Sequence, residues 1–397
     1  MFVDLAIAAL SLPVLAWTGY LAMLALLSRA NPVPPYPSPP KSRFDVVVPA
    51  HDEEAGIAGT VESVLALDYP RELYRVIVVA DNCRDSTAKR AEQAGALVIE
   101  RHDPSRRGKG YALEHAFERI LAENVSDAIV VIDADTKVSP NLLKAFDARL
   151  EAGASAGQAE YGVANRAASW RTRLMHIALT LFHDVRSRAR ERLGVSAGLR
   201  GNGMLFATPL LRAVPHDAFS IVEDVEYGIK LGLSGHRVHY VGEARVLGEM
   251  VSGSSAARSQ RRRWEGGRWL LARRHAGRLL AVGLRRRSLV ILDLAADLLV
   301  PPLSYVGFAT IAGVVASAAR VALGRGAFWS LAPWCVCALF FAVYVGRGAW
   351  LARVGPRVAL DLLWAPVYMV WKVALALRAS PSGEREWVRT AREAKKP

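Results

Sequence analysis

Hydrophobic and polar positions fall into three textures along this chain. Residues 5–27 form an unbroken apolar run, 23 positions without a charge. That is enough to cross a hydrocarbon core of about 30 Å as a helix. Residues 298–319 and 327–346 are uncharged over 22 and 20 positions, so two more spanning helices are predicted near the other end. Residues 362–371 are uncharged over only 10 positions and read as an interfacial or re-entrant helix.

The middle, residues 42–260, has a different texture. Short β-branched runs alternate there with segments of helical spacing. Asp45-Val-Val-Val-Pro49, Arg75-Val-Ile-Val-Val-Ala80, residues 96–100 and Ala128-Ile-Val-Val-Ile132 read as strands, and residues 57–67, 85–94 and 109–123 as helices between them. That alternation predicts an α/β domain with a parallel, Rossmann-like sheet. Ligands of such sheets bind beyond the carboxyl ends of the strands.

Composition agrees with a membrane-associated chain. Of 397 residues 52% are hydrophobic, and the mean hydropathy is +0.17. That is too apolar for an ordinary soluble protein or for disorder. The net charge is +14, and Arg29, Lys41 and Arg43 follow the first apolar run while Arg347, Arg353 and Arg357 follow the third. By the positive-inside rule the N-terminus lies outside and the middle in the cytoplasm. A cleaved signal peptide would carry basic residues before a shorter run, whereas only Asp4 precedes this one. Residues 31–40 (NPVPPYPSPP) are a semi-extended linker. Residues 263–287 interleave arginine with tryptophan and leucine, a pattern suited to an amphipathic helix on an anionic leaflet. The basic balance therefore points to membrane lipids, and no string typical of nucleic-acid binding competes. Cys83, Cys335 and Cys337 offer neither a disulfide framework nor zinc spacing.

Polar residues stand where the sheet would place ligands. They are Ala50-His51-Asp52-Glu53-Glu54 after the first strand, Asp81-Asn82-Cys83-Arg84-Asp85 after the second, and Asp133-Ala134-Asp135 after the fourth. Neither a dinucleotide fingerprint nor a phosphate loop is present. Carboxylates facing an anionic nucleotide need a divalent cation between them, and Asp133 with Asp135 forms a hard-oxygen pair suited to Mg²⁺ or Mn²⁺. Alone, an Asp-x-Asp string also serves as a turn or helix cap.

Further elements arrive in order: Val48-Pro49-Ala50, Gly108-Lys109-Gly110, Gly201-Asn202-Gly203, Glu223-Asp224 and Gln260-Arg261-Arg262-Arg263-Trp264. With the strand-end aspartates, this set resembles the membrane-bound family 2 glycosyltransferases, the group including cellulose, chitin-oligosaccharide and hyaluronan synthases. The resemblance covers residues 42–270 and ends on the family's Gln-x-x-Arg-Trp signature. It implies a GT-A fold and an inverting transfer of a sugar from a nucleotide diphosphate sugar, with a UDP-linked donor expected, to a glycan or lipid-linked acceptor.

The resemblance also implies roles. Asp135 would hold the metal and Asp133 the nucleotide or metal shell. Asp81 would bind the uracil or ribose side, and Lys109 and Arg263 the base or diphosphate. Asp224, with Glu223 beside it, would be the base. Trp264 would stack on the acceptor sugar beside Gln260, while Pro49, Glu53 and Gly203 would line the substrate site. Asn82 departs from a pattern that often has a second acid there. Three spans are also fewer than in cellulose synthase-like enzymes, so a polymer would need an oligomer or an export partner. A single-transfer glycolipid enzyme and a non-catalytic nucleotide-sugar scaffold are the alternatives. The expected organisation is a spanning helix (1–28), a proline-rich linker (29–41), the GT-A domain (42–260), the Gln-x-x-Arg-Trp motif with an amphipathic interfacial segment (261–287), two spans (288–346), and an interfacial or re-entrant helix with a basic cytoplasmic tail (347–397). The expected location is the inner (plasma) membrane, with the catalytic domain cytoplasmic.

Overall fold

The computed structural model describes residues 2–166, 170–249 and 254–355, with isolated positions beyond. The interfacial helix expected at residues 362–371 lies outside this description. In chain order, α1 (Phe2–Leu27) is followed by β1 (Phe44–Ala50), α2 (Ile57–Leu65), β2 (Tyr74–Asp81), α3 (Thr87–Gln93), β3 (Leu97–Arg101), α4 (Lys109–Glu123) and β4 (Ala128–Val131). Next come β5 (Thr136–Val138), α5 (Leu142–Glu151) and β6 (Ala156–Val163). α6 (Trp170–Leu179) continues through a π-helical turn, Thr180–Val185, into α7 (Arg186–Arg192). β7 (Met204–Ala207), α8 (Thr208–Ala213), α9 (Glu223–Leu233) and β8 (His239–Gly248) complete the sheet region. The remaining helices are α10 (Ser254–Arg286), α11 (Leu289–Leu299), α12 (Leu303–Ala322) and α13 (Ala332–Ala352).

The chain divides into two compact units. One draws on Met1–Arg29, Ala167–Ala189 and the region from Leu299; the other is the α/β unit, from Ala30–Arg166 and Arg190–Leu298. In the α/β unit eight strands run in the order β3-β2-β1-β4-β7-β6-β8-β5. The first four are parallel. β7 is antiparallel to both β4 and β6, and β5 to β8, while β6 and β8 are parallel. The sheet is therefore mixed, where the sequence predicts a parallel one. The parallel half has helical crossovers and continuous apolar runs; the rest is built from short or polar strands such as Ala156–Val163 (AGQAEYGV), which carry no such signal.

β1 is buried at all seven positions because helices cover both faces. Val46 and Val48 pack with Ile57, Val61 and Val64, and Val47 packs with Leu113 and Phe117 on the opposite face. Each such side chain contributes about 1.5–3 kcal/mol by leaving water. Pro49 lies two residues past the last β1–β4 pair, Val47 with Val131, so its missing N–H costs no ladder bond on that side. On α11, Asp293 and Asp297 flank the buried Arg190 guanidinium at 3.1 and 2.7 Å.

The other unit contains three helical segments long and apolar enough to cross a bilayer, Phe2–Leu27, Leu303–Ala322 and Phe328–Ala352. Ser11 and Thr18 return their hydroxyls to the carbonyls of Ala8 and Val14, which suits an apolar setting. Arg347 donates to Ser28 Oγ at 2.8 Å, and Arg320 pairs with Asp4 at 3.3 Å. That pairing gives the Arg320 guanidinium a counter-charge. Residues 167–189 also belong to this unit, although the sequence reading assigns them to the α/β domain. Ile177, Leu181 and Val185 pack there with Leu21, Ala25 and Tyr344. The Tyr344 hydroxyl donates to Leu181 O at 2.9 Å, at the π-helical turn.

Candidate active site

The strand ends of the α/β unit are tied together by their own loops. After β1, Asp52 Oδ1 accepts from Arg84 N–H at 2.7 Å, and Glu53 N–H donates to Thr87 Oγ1 at 2.7 Å. His51 Nδ1 lies 2.6 Å from Asp81 O. Beside these loops is a cavity of about 310 Å³ lined by His51, Asp52, Asn82, Cys83, Arg84, His102, Pro104 and Arg107. Asp81 is fully buried, and Arg101 Nη1 donates to its Oδ1 at 2.5 Å. Its Oδ2 is buried and has no hydrogen-bond partner among the described residues.

Asn82 explains its own departure from the acidic pattern. Its Nδ2 donates to Asp81 Oδ1 at 3.0 Å and to Asp103 O at 3.2 Å, while its Oδ1 accepts from Asp103 N–H at 2.8 Å. An ionised aspartate has nothing to donate and would face both oxygens. Asn82 also sits at φ 52°, a left-handed conformation that asparagine tolerates.

A second group of charges gathers around Lys109, the first residue of α4. Its ammonium is 2.5 Å from Asp133 Oδ1 and 3.8 Å from Glu223 Oε1, and it donates to Gly201 O. Gly201 is needed here for its φ of +80°, a left-handed conformation that other residues adopt only with strain. Its Cα faces the site, since a Cβ would meet Asp224 Oδ2 at 3.5 Å and Lys109 Nζ at 3.6 Å, both ordinary contacts. Gly110 lets α4 reach this place, since a Cβ on it would lie 2.2 Å from Ala218 O. One residue on, Tyr111 stacks on Phe219 with ring centroids 4.3 Å apart. Glu223 and Asp224 open α9, where the helix N-terminus favours negative charge.

Burial raises both acids. It pushes Glu223 up to about 8, with Lys109 opposing and Asp224 adding to the rise. Asp224 is raised too, by burial first, against its bond from Val225 N–H and the charges of Lys109 and Arg200. For Lys109 burial works downward, but Asp133 and Glu223 carry its pKa above the ordinary value. One cation thus holds together three acids that would otherwise repel.

The donor set fits a hard divalent cation. Asp133 and Asp135 are half-buried carboxylates one residue apart after β4. Magnesium-type ions commonly take one or two carboxylates and complete their shell with substrate phosphate and water. Among the described residues a tighter cluster, Asp52, Cys83 and Asp85, also lies at the strand ends. Its carboxylates accept backbone N–H groups of Arg84, Glu54 and Thr87, so it serves to tie turns.

Lys109, Asp133, Glu223 and Asp224 are thus brought together, and Asp81 and Glu53 belong to the neighbouring strand-end loops. Gly203 differs from expectation. Its N–H donates to Val131 O and its C=O accepts from Ala159 N–H, both within the sheet, and a Cβ would strike Val246 at 2.8 Å. Its glycine character serves packing. Gln260, Arg263 and Trp264 lie on α10, and their side chains fall outside the description. Sequence reasoning passes over Thr60, Arg101 and Gln158 and gives Asn202 no role, although an asparagine between two glycines is a visible signal.

A sequence profile described as "Glycosyltransferase like family 2" matches residues 39–267, more than half of the chain. Beta-monoglucosyldiacylglycerol synthase from Synechocystis is 31% identical over 64% of this chain and 55% of its own length. The probable glycosyltransferase YdaM of Bacillus subtilis is 26% identical over 57% and 55%. The chain thus spans about half the length of these curated relatives. Among solved structures, the mannosyltransferase PcManGT from Pyrobaculum calidifontis, in complex with GDP-Man and Mn²⁺, aligns at TM-score 0.51 and 16% identity. That alignment covers 94% of this chain and 98% of the other, a likeness of fold. With strand-end acids on a mixed α/β sheet of the GT-A kind inside the matched region, the chain belongs to glycosyltransferase family 2.

Proposed function

We propose that this protein transfers a sugar from a nucleotide diphosphate sugar, UDP-linked, to a lipid acceptor, with inversion at the anomeric carbon. The observation that carries this reading is the convergence of Asp133, Lys109, Glu223 and Asp224 at the strand ends. On this reading the cavity lined by His51 and Asn82 takes the nucleoside, and the buried Asp81 behind it orients Asn82 by accepting from its amide.

The mechanism follows from the groups present. Asp224 accepts the proton of the acceptor hydroxyl. The freed oxygen bonds to the anomeric carbon from the face opposite the diphosphate. The carbon–oxygen bond to phosphate breaks, and its electron pair leaves with the nucleoside diphosphate. Lys109 supplies fixed positive charge where that negative charge appears. A divalent cation held by Asp133 and Asp135 would supply more. Glu223 keeps Lys109 and Asp224 in place.

A lipid acceptor is favoured by the 31% identity to a diacylglycerol glucosyltransferase and by three helices apolar enough to span a bilayer. On this reading the helices anchor the chain in the inner membrane with the α/β unit cytoplasmic. Processive synthesis on a glycan is the second reading, favoured by Gln260, Arg263 and Trp264 on α10.

The test is a panel of UDP-sugars and GDP-mannose offered to the purified protein with Mn²⁺ and with diacylglycerol vesicles or short oligosaccharides. Mass analysis of products reads the outcome. One sugar added to lipid supports the proposal, and a ladder of oligosaccharides supports the second reading. Absence of turnover with every donor and acceptor would refute both.

A further inference from the structure

The Asp133-Ala134-Asp135 turn is gripped from two sides by uncharged, buried side chains. Asn202, 0% exposed, brackets it: Oδ1 accepts from Asp133 N–H at 3.1 Å, and Nδ2 donates to the Thr136 hydroxyl at 2.7 Å. Thr60, on α2, holds the other side. Its hydroxyl donates to Ala134 O at 2.8 Å and accepts from Thr136 N–H at 3.1 Å. Gln158, on β6, fixes Asn202 in turn, donating to Asn202 O at 2.7 Å and accepting from Arg200 N–H at 2.8 Å. None of these bonds uses a carboxylate oxygen.

Such an arrangement has a cost. Each of these polar side chains loses water on burial and is retained only because it is satisfied. Apolar residues would fill the same space without that demand. What the polar set provides is direction. Two neighbouring carboxylates repel and would rotate apart, and a turn with its N–H, C=O and hydroxyl groups all engaged cannot follow them. Asp133 already has one charged partner in Lys109, and further cationic clamps would compete with the ion for the carboxylates, whereas an amide and a hydroxyl bonded to the turn's backbone do not.

We propose that Thr60 and Asn202, backed by Gln158, are positioning residues that preset Asp133 and Asp135 for a divalent cation. Through Gly201, whose carbonyl takes the Lys109 ammonium, the same segment ties that turn to Lys109. This rests on the functional reading above. Partners one layer behind a metal ligand are worth about 10–100-fold in metal affinity.

The experiment is a Mn²⁺ titration of the purified full chain with UDP present, read by electron paramagnetic resonance rather than by turnover. Thr60→Val keeps size and removes the hydroxyl; Thr60→Ser keeps the hydroxyl. Thr60→Val and Asn202→Ala should each bind Mn²⁺ about 10–100-fold more weakly, with Thr60→Ser within about threefold of the parent. Melting in EDTA controls for folding, and the titration is run well below each variant's midpoint. Thr60→Val with parental affinity, or Thr60→Ser as weak as Thr60→Val, would overturn the clamp alone. A parent that transfers sugar yet binds no Mn²⁺ also overturns it and leaves the function standing. A parent that neither binds Mn²⁺ nor turns over any donor brings down the functional reading as well.

Discussion

The Lys109 ammonium lies 2.5 Å from the Asp133 carboxylate, so the chain supplies its own positive charge at the place where the family's chemistry calls for a cation. Lys109→Met should lower kcat/KM for transfer by about 100-fold or more, the size of losing one preorganised electrostatic partner. Lys109→Arg should not restore it, because a planar guanidinium cannot place its charge as the compact ammonium does against both Asp133 Oδ1 and Gly201 O. Steady-state kinetics of the two variants checks this, and an arginine variant with parental activity would remove Lys109's specific role.

Activity should require Mg²⁺ or Mn²⁺ and disappear in excess EDTA. Asp135→Ala should act like the chelator, since the carboxylate that remains, Asp133, already has its Oδ1 engaged by the Lys109 ammonium. Sugar transfer assayed with and without EDTA decides the matter; unchanged rates in chelator would exclude a metal requirement.

Asp224→Asn should reduce transfer by about 10²–10⁴-fold, the range for losing a general base. Asparagine keeps the size of the side chain and cannot take the acceptor proton. Calorimetric binding of the nucleoside diphosphate should stay close to the parent's. Transfer within tenfold of the parent, well short of the loss of about 10²-fold that is the floor for such a base, would assign the base elsewhere.

Glu223 and Asp224 titrate as a pair, and burial holds Glu223 at about 8. The base works only without its proton, so kcat/KM should climb with pH through a limb centred near 8, where the pair loses its proton, and level off above it. Glu223→Gln should move that limb to lower pH, because the shared negative charge is gone. For folding the sign is opposite to that of a salt-bridged acid. The folded state binds this proton more tightly than the unfolded one, so stability is lost as pH rises from 4.5 towards 8. A pH–rate profile of Glu223→Gln that coincides with the parent's would separate Glu223 from the titrating pair.

His216 is buried against Phe117 and Tyr227, and burial lowers its pKa to about 4. The unfolded chain takes up this proton near pH 6.5 and the folded chain does not. Stability from this group is therefore complete above 6.5 and falls as pH drops towards 4, by about 3 kcal/mol at most. Chemical denaturation of His216→Gln at pH 7 and pH 5 should show a smaller loss between the two than the parent. An equal loss would place the acid sensitivity elsewhere.

The parallel half of the sheet is legible because Val46–Val48 and Ile77–Val79 are buried on both faces and leave continuous apolar runs. β6 to β8 are not, since a strand such as AGQAEYGV has neither a period nor a run. The charged part of the site is legible for a related reason: Lys109, Asp133, Glu223 and Asp224 are costly to bury and stand out at element ends. Thr60 and Gln158 are silent in the sequence, because a neutral polar residue among apolar ones announces nothing until its partner is placed. The meaning of Asn82 depends on Asp103, which reaches it only through the fold. Residues 167–189 read as part of the α/β domain because nothing local says that Leu181 will meet Tyr344.

The pairing of α1 with α13 has a consequence for synthesis. Trp334 Nε1 donates to Ile7 O at 3.2 Å, and Arg347 closes on Ser28 at the opposite end. Yet α13 begins at Ala332, about 300 residues after α1 ends at Leu27. On the ribosome, at about 5–20 residues per second, the first helix is made many seconds before its partner exists. Throughout that interval it must hold an unmatched apolar surface, and a bilayer is the surrounding in which it can wait without aggregating. The α/β unit is translated during that pause, so on the proposed membrane reading its folding would proceed on a chain already tethered at one end.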